Sequence, residues 1–408
     1  MKKPELLAPA GNLDKLKIAF LYGADAVYIG GEEYSLRVAA DNFTMDEIRE
    51  GVEFAHERGK KVYLTANIIP HNEDLKDFAD YLKEAVKTGI DAVIISDLGL
   101  FSIAKEVAPD LEIHISTQAN NVNYESAKMW HTLGAKRVIL AREMSFKEIA
   151  EIRENTPDTL ELEAFIHGAM CISYSGRCLL SNYMTNRDSN LGACSHPCRW
   201  NYYLMEEQRP GQYMPVFENE RGTFIYNSKD LCMIEHIDEL IKSGLDSFKI
   251  EGRVKTEYYL ATVVKAYRDA IDSYFENPDE YKFKQEWLDE LLKVSHRGYT
   301  TGFYYKKPDG NEQNYETSSY IRNYELSGIV CGYDKEKKLL SVVQKNRFFK
   351  GGEVEFLCPD RPFIKHKIEY MTDAEGNELE VANRPQQIVH IRFNEEIPND
   401  SIMRQVKL

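Results

Sequence analysis

The sequence has no uncharged apolar run long enough to cross a membrane, and its first residues, MKKPELLAPAG, lack the apolar stretch of a secretory signal. Positive charge is also in short supply, because 51 Lys and Arg residues stand against 66 Asp and Glu residues. The resulting formal charge of −15 argues against a surface coated with cations for nucleic acid. We therefore expect a cytoplasmic protein with no membrane partner.

Several common catalytic signatures are missing as well. No Gly-rich phosphate loop or dinucleotide fingerprint opens a helix, and no Gly-x-Ser-x-Gly elbow is present. The pair His56-Glu57 is not followed by the second histidine of a zinc protease helix. The Cys-x₃-Cys-x₂-Cys loop of radical enzymes is incomplete, because Asn201 occupies its third position. For a thiol peptidase, the nearest pairing in the sequence is Cys171 with His167.

What the sequence does contain is a repeating phrase, in which a helical pattern ends at a glycine and a buried apolar run follows. It occurs as GADAVYI (23–29), GIDAVII (89–95), GAKRVIL (134–140) and GLDSFKI (244–250). Four more strands are predicted between these, at residues 5–11, 60–68, 111–119 and 160–168. Eight strands alternating with helices predict an α/β fold of the TIM-type (β/α)8 barrel class.

The predicted barrel domain covers residues 1–318, and an insertion at residues 169–243 interrupts it between strands seven and eight. Within the insertion, WNYYLMEE and GTFIYNS predict a hairpin. Residues 319–408 alternate in short strands and predict a small all-β, barrel-like C-terminal domain. Residues 321–408 hold 14 Lys and Arg against 14 Asp and Glu, so the acidic surplus lies in the barrel. The basic turn KNRFFKGG (345–352) is either a solvated loop or a loop that faces RNA.

The active site of a TIM barrel lies at the carboxyl ends of its strands, and polar residues follow the predicted strands here. As candidate catalytic residues they provide Arg142, Glu143, His167, Glu251 and Arg253. Candidate cofactor-binding residues are Asn67, Gln118 and Arg177. The arginines suit bidentate contacts to a small carboxylated ligand. The alternative is that Arg142–Glu143 and Glu251–Arg253 are structural ion pairs.

Five of the seven cysteines fall within one short stretch of the chain: Cys171, Cys178, Cys194, Cys198 and Cys232. Disulfides are rare in cytoplasmic proteins, so this bunching favours ligation. Four thiolates from separate loops suit tetrahedral zinc or an iron–sulphur cluster. Zinc sites usually use two short Cys-x₂₋₄-Cys knuckles, and only Cys194-x₃-Cys198 looks like one. The spacing therefore favours the cluster. Cys331 and Cys358 are predicted packing residues.

The segment EAFIHGAMC (163–171), followed by SGRCLLS (175–181), resembles the signature of peptidase family U32. LLAPAG (6–11), ISTQ (115–118) and KIEGR (249–253) resemble that family too, so the likeness extends along the chain. Within the family, the chain is most similar to the proteins of tRNA hydroxylation. The resemblance implies an enzyme that forms 5-hydroxyuridine at the wobble position of tRNA, with prephenate as the oxygen source.

The resemblance also implies a 4Fe–4S cluster on Cys171, Cys178, Cys194 and Cys232, with Cys198 as a spare or as a replacement for Cys194. Prephenate is a dicarboxylate, which Arg142, Arg177 or Arg253 could hold. The uridine would be splayed from the anticodon loop onto an aromatic platform formed by Trp200, Tyr202 and Tyr203. The alternatives are a U32-type peptidase and a non-catalytic iron–sulphur partner subunit, acting as a homo- or hetero-dimer.

Overall fold

The computed structural model describes residues 2–36, 42–171, 173–200, 228–306 and 320–407, and also the backbone of residues 203–205 and 213–215. The helices are α1 (Leu13–Leu21), α2 (Met45–His56), α3 (Phe78–Lys87), α4 (Leu98–Val107), α5 (Tyr124–Leu133), α6 (Phe146–Glu154), α7 (Leu180–Thr185), α8 (Ile237–Lys242), α9 (Glu257–Glu276) and α10 (Gln285–Leu291).

The barrel strands are β1 (Glu5–Pro9), β2 (Ala26–Gly30), β3 (Lys61–Ala66), β4 (Ala92–Ile95), β5 (Glu112–Ile115), β6 (Arg137–Ile139) and β7 (Glu161–Gly168), then β8 (Tyr203–Met205), β9 (Tyr213–Pro215) and β10 (Asp230–Cys232) of the insertion, and finally β11 (Ser247–Ile250). Strands β1 to β7 pair in parallel in chain order, and β11 pairs in parallel with both β7 and β1. The sheet is therefore closed, which confirms the predicted (β/α)8 barrel.

The glycine that opens each repeated phrase ends a helix, as predicted. Gly23, Gly89, Gly134 and Gly244 all have positive φ, between 82° and 110°. A left-handed residue at this point lets the chain leave the helix and enter the next strand, and only glycine adopts it without strain from Cβ. The strands that follow are almost fully buried, because the barrel interior covers one face and the helices cover the other.

The insertion returns to the barrel before the predicted boundary at residue 243. Strand β10 pairs antiparallel with the end of β7, so that Cys232 lies opposite His167. Helix α8 then packs as the barrel helix before β11. A hairpin forms between β8 and β9. The strand within WNYYLMEE therefore pairs with residues 213–215, whereas the prediction paired it with GTFIYNS. Most of GTFIYNS lies outside the described residues.

Strand β12 (Tyr299–Thr300) pairs with β10 and belongs to the barrel sheet. The C-terminal strands are β13 (Tyr324–Asp334), β14 (Leu339–Gln344), β15 (Phe348–Phe349), β16 (Glu353–Leu357), β17 (Ile364–Lys367), β18 (Met371–Thr372), β19 (Val381–Ala382), β20 (Ile388–Arg392) and β21 (Ile402–Val406). Seven of them form one antiparallel sheet in the order β17-β16-β21-β13-β14-β20-β18, with its own apolar core. This confirms the predicted all-β domain.

The β domain is tied to the barrel by buried polar contacts. The hydroxyl of Tyr22 donates to the carbonyl of Leu357 at 2.8 Å. Arg404, which is fully buried, donates to Glu290 of α10 at 2.9 Å and to Glu355 of β16 at 3.0 Å. None of the helices in the described ranges is both long enough and apolar enough to cross a membrane.

Candidate active site

A cavity of about 240 Å³ opens at the carboxyl ends of the barrel strands, beneath the cysteine-bearing insertion. Among the predicted site residues, eight line it together: Asn67, Gln118, Arg142, Glu251, Arg253, Cys171, Cys178 and Cys194. Cys198 lines it as well. Glu143, His167, Arg177 and Cys232 do not belong to its walls. The strand-end reading therefore converges on one site, and the cysteines form part of the same wall.

Three cations face the cavity, and each has a different environment. The guanidinium of Arg142 lies 3.9 Å from the ring centre of Phe165, and no ion pair engages it in the described ranges. Arg253 is buried and donates to the hydroxyls of Ser35 and Thr65, at 2.5 Å and 3.1 Å. Lys249 is buried too, with its ammonium 4.4 Å from the ring centre of Tyr28. Such a set favours an anionic ligand.

Lys249 was not predicted as a site residue, because only residues that follow the strands were candidates and Lys249 lies at an inward-facing position within one. Its Nζ donates to Oε1 of Glu163 at 2.8 Å. Burial lowers the pKa of Lys249, although Glu163 favours its charged form. The signal available in the sequence was a lysine within a short buried strand, two residues before Glu251.

Below the cavity, the barrel floor is a closed network of charges. Arg137 donates to Glu5, Glu161 and Glu163 at 2.6 to 2.9 Å. Burial opposes the ionisation of Glu163, but Lys249 and Arg137 outweigh it and lower its pKa to about 2. Because every charged group here meets an opposite charge, the floor is structural.

Asn67 provides the cavity with an unused acceptor. Its Nδ2 donates weakly to Ser116 at 3.4 Å, whereas its Oδ1 is buried and has no partner among the described residues. Buried amide oxygens are normally hydrogen-bonded, so an unpaired one in a cavity wall suits a donor on a ligand.

Glu143 anchors the insertion rather than facing the cavity. Its Oε1 accepts from the backbone N–H of Ser175 at 3.0 Å. Burial raises the pKa of Glu143 despite this hydrogen bond. Next to it, Gly176 has φ +71°, and a Cβ there would collide with the carbonyl oxygen of Gln118. The loop therefore needs glycine at this position in order to approach the barrel.

His167 lies outside the barrel, in the layer between β7 and α9. Its ring contacts Tyr259, Tyr267 and Tyr299, with centre distances of 5.5 to 6.0 Å. Burial lowers its pKa to about 3, so the ring is neutral. No hydrogen bond to Cys171 is present among the described residues, so the two do not form a peptidase pair. A catalytic role for His167 stays a prediction.

Arg177 lies on the exposed outer surface of the insertion and makes no side-chain hydrogen bond or ion pair within the described residues. Trp200 is exposed nearby, whereas Tyr202 and the side chain of Tyr203 lie outside the described part of the chain. The predicted aromatic platform is therefore described for Trp200 alone.

One of the four predicted cluster ligands has a local geometry that suits a thiolate. The backbone N–H of His196 donates to Sγ of Cys194 at 3.4 Å. The backbone of Ser173 and that of Ile234 act to lower the pKa of Cys171 and of Cys232, although burial outweighs this effect in both. Amide hydrogen bonds to sulphur are characteristic of iron–sulphur sites, where they stabilise the bound thiolate.

The cysteines converge without forming a closed cage. Burial raises the pKa of the Cys171 thiol, and the neighbouring thiols of Cys178 and Cys194 raise it further. Cys232 lies behind the wall on β10, where Tyr267 donates to its sulphur at 3.8 Å and burial raises its pKa to about 12. In the described ranges, no three His, Cys, Asp or Glu side chains are arranged to hold a metal ion. Four thiols are the donor set of a four-thiolate group, and the described geometry does not bring three of them to one point.

Comparison with known proteins extends to both domains. Residues 11–314 match the model of peptidase family U32, and residues 322–404 match the peptidase family U32 C-terminal domain. The tRNA hydroxylation protein P1 of Bacillus subtilis is 45% identical over 406 residues, which cover 100% of this chain and 96% of that protein.

Two further relatives are from Escherichia coli. The tRNA hydroxylation protein P is 41% identical, over 94% of this chain and 92% of that protein. A 23S rRNA 5-hydroxycytidine synthase is 34% identical, over 73% of this chain and 45% of that protein. With a family model that matches most of its length and with relatives of this identity, the chain belongs to peptidase family U32.

Proposed function

We propose that this protein is an RNA hydroxylase that forms 5-hydroxyuridine at the wobble position of tRNA, with prephenate as the oxygen donor and a 4Fe–4S cluster as its cofactor. Two observations support this. The relatives that share most of its length are named for tRNA hydroxylation, and a third is named for hydroxylation of rRNA. The observation that carries the proposal is the single cavity whose wall combines cysteines with three cations.

Each side chain of the cavity has a role in this proposal. Arg142, Arg253 and Lys249 hold the two carboxylates of prephenate, with Arg142 as the bidentate contact. Asn67 and Gln118 position the uracil through their amide groups, and the unpaired Oδ1 of Asn67 accepts from the base. Among the described residues of the wall, Glu251 is the one carboxylate, and it serves to move a proton.

The cluster is held by Cys171, Cys178, Cys194 and Cys232. When it is bound, it supplies one-electron chemistry at the cavity wall. Zinc is the alternative metal for the same thiolates.

The function is tested by deleting the gene in its host and measuring the nucleosides of total tRNA by mass spectrometry. We expect 5-hydroxyuridine derivatives to disappear and to return with the wild type but not with Cys171→Ala. Unchanged nucleosides, even when a paralogue is also deleted, would contradict the tRNA proposal. Purified protein, prephenate and hypomodified tRNA should reproduce the reaction without O₂, and omission of prephenate should abolish it.

The ligand set is tested by the iron and sulphide content of anaerobically purified variants. Cys232→Ala should lose the cluster, because Cys232 is one of the four thiolates that the proposal assigns to it. Cys198→Ala is the matched control and should retain iron. The reverse result would make Cys198 the fourth ligand. Zinc in place of iron in anaerobically purified wild type would contradict the cluster.

A further inference from the structure

The outer surface of the insertion, which we call the rim segment (residues 173–200), exposes an unusual number of large apolar side chains. Tyr174, Leu179 and Tyr183 are 63%, 69% and 87% exposed. Met184 and Trp200 are exposed as well. Exposed apolar residues scattered singly are ordinary, but five within one short segment mark an interaction surface.

The rim segment also differs from the rest of the chain in charge. It contains no lysine or glutamate but three arginines. Arg177 and Arg187 make no side-chain hydrogen bond or ion pair in the described part of the chain, and the side chain of Arg199 lies outside that part. Asp188 is its one acidic residue, and its carboxylate accepts from the N–H of Asn190 at 2.7 Å. In a protein of charge −15, this is a local surface for a polyanion.

The rim segment is anchored to the barrel at several points, so its exposed side chains are presented from a fixed base. Ser175 binds Glu143 after β6, as described above. The N–H of Ile69, after β3, donates to the carbonyl of Asn190 at 3.1 Å. Within the rim segment, the hydroxyl of Ser189 also donates to the carbonyl of Cys178 at 2.8 Å. Aromatic side chains held this way lose little freedom on binding.

The rim segment is continuous with the cavity. Tyr174 lines the cavity and is also exposed, while Leu180 and Pro197 line it from the inner side of the same segment. A cavity of about 240 Å³ has space for a single base beside a small co-substrate at most. The nucleotides on either side of an extruded base must therefore lie outside, against the rim.

We propose that the rim segment binds the unpaired nucleotides that flank the target base. Tyr183 and Trp200 stack on their bases, and Arg177 and Arg187 pair with their phosphates. This inference rests on RNA being the substrate, as proposed above. Aromatic faces together with free guanidinium groups are the combination that binds single-stranded nucleic acid without regard to sequence. Duplex RNA offers no exposed base faces, so the surface selects loops.

The test compares two double variants of the full-length protein by fluorescence anisotropy. Tyr183→Ala with Arg187→Ala removes one exposed ring and one charge from the rim. Met129→Ala with Lys128→Ala removes an exposed apolar side chain and one charge from α5, on the outside of the barrel. The probes are an anticodon stem–loop and a fully paired hairpin of the same length.

We expect wild type and the α5 variant to prefer the stem–loop and the rim variant to bind it at least about tenfold more weakly. Its binding should also depend less on salt, with a slope reduced by about 0.7 for the lost phosphate contact. Tyr183→Phe should retain binding, because stacking needs the ring and not the hydroxyl.

The failures are distinguishable. If wild type binds neither probe, both the RNA proposal and this inference fall. If wild type prefers the stem–loop and the rim variant does the same with equal affinity, the rim inference alone is wrong. Loss of a dimer in the rim variant, measured by light scattering with unchanged RNA binding, would assign the surface to a protein contact and would also overturn the inference.

Discussion

The two ends of the barrel interior treat charge in opposite ways. At the floor, Arg137 meets three carboxylates, and Glu163 is shared between it and Lys249. At the mouth, Arg142 rests on an aromatic ring without an ion pair in the described ranges, and Oδ1 of Asn67 has no donor there. Both ends are polar, but only the floor pairs its charged groups with one another.

This difference separates stability from function within a single barrel. Buried charges that are mutually paired are costly to disturb but offer nothing to a ligand. Polar groups left without partners cost stability and are retained where a ligand completes them. Lys249 belongs to both ends, since it pairs with Glu163 and lines the cavity.

The largest effect should follow from breaking the floor. Glu163→Ala leaves Arg137 and Lys249 without their shared carboxylate in a fully buried position. We expect a loss of about 3–5 kcal/mol in the free energy of unfolding, measured by urea denaturation. In the paired control Glu163→Leu with Lys249→Met, both charges of that pair are replaced, and much of the loss should be recovered. An unchanged midpoint for Glu163→Ala would show that the network is not stabilising.

The floor should also make stability depend on pH. The folded pKa of Glu163 is about 2, below the ordinary 4.5, so its contribution is complete above pH 4.5 and is lost as the pH falls towards 2. The shift corresponds to about 3 kcal/mol. As the pH is lowered from about 5 to about 2, the denaturation midpoint should fall more steeply for wild type than for Glu163→Gln. Parallel curves would contradict this.

At the mouth, the effect should move from stability to activity. Arg142→Ala should cost about 2–3 kcal/mol in kcat/KM, because the charged contact to the co-substrate that we propose for it is lost. Its unfolding free energy should stay within about 0.5 kcal/mol of wild type, since no ion pair is broken. Steady-state kinetics with varied prephenate, together with urea denaturation, measures both. A stability loss equal to that at the floor would erase the distinction.

The smallest effect is expected at the anchor of the rim segment. Glu143→Ala removes the carboxylate that accepts from Ser175, at a cost of about 1 kcal/mol or less locally. Hydrogen exchange should increase at Ser175 and its neighbours and stay unchanged at the floor. Equal protection in variant and wild type would show that other contacts alone hold the loop.

Much of this arrangement could be predicted from the sequence, because repeated glycines and buried apolar runs report the barrel directly. The strand-end rule also placed Asn67, Gln118, Arg142, Glu251 and Arg253 around one cavity. These positions depend on strand direction, which alternation of helices and strands determines.

The failures are local. The pairing of β7 with β11 shifts register, so that Lys249 lies opposite Phe165 but Ile250 lies opposite His167. This bulge breaks the alternation that places Glu163 and Phe165 inside the barrel, and His167 turns towards α9. A bulge of this kind leaves no signal in a single sequence. The contact of Glu143 with the rim segment depends on a loop conformation that a single sequence does not reveal either.

The anchoring of the cysteine segment has a consequence for how the protein matures. Its contacts reach back to Ile69, Gln118 and Glu143, which the ribosome makes earlier, while Cys232 sits on a strand that needs β7. The sheet closes only when β11 has been synthesised after all five clustered cysteines. The cysteines therefore reach their anchored positions only after the barrel has been completed, and until then the whole segment is held by fewer contacts.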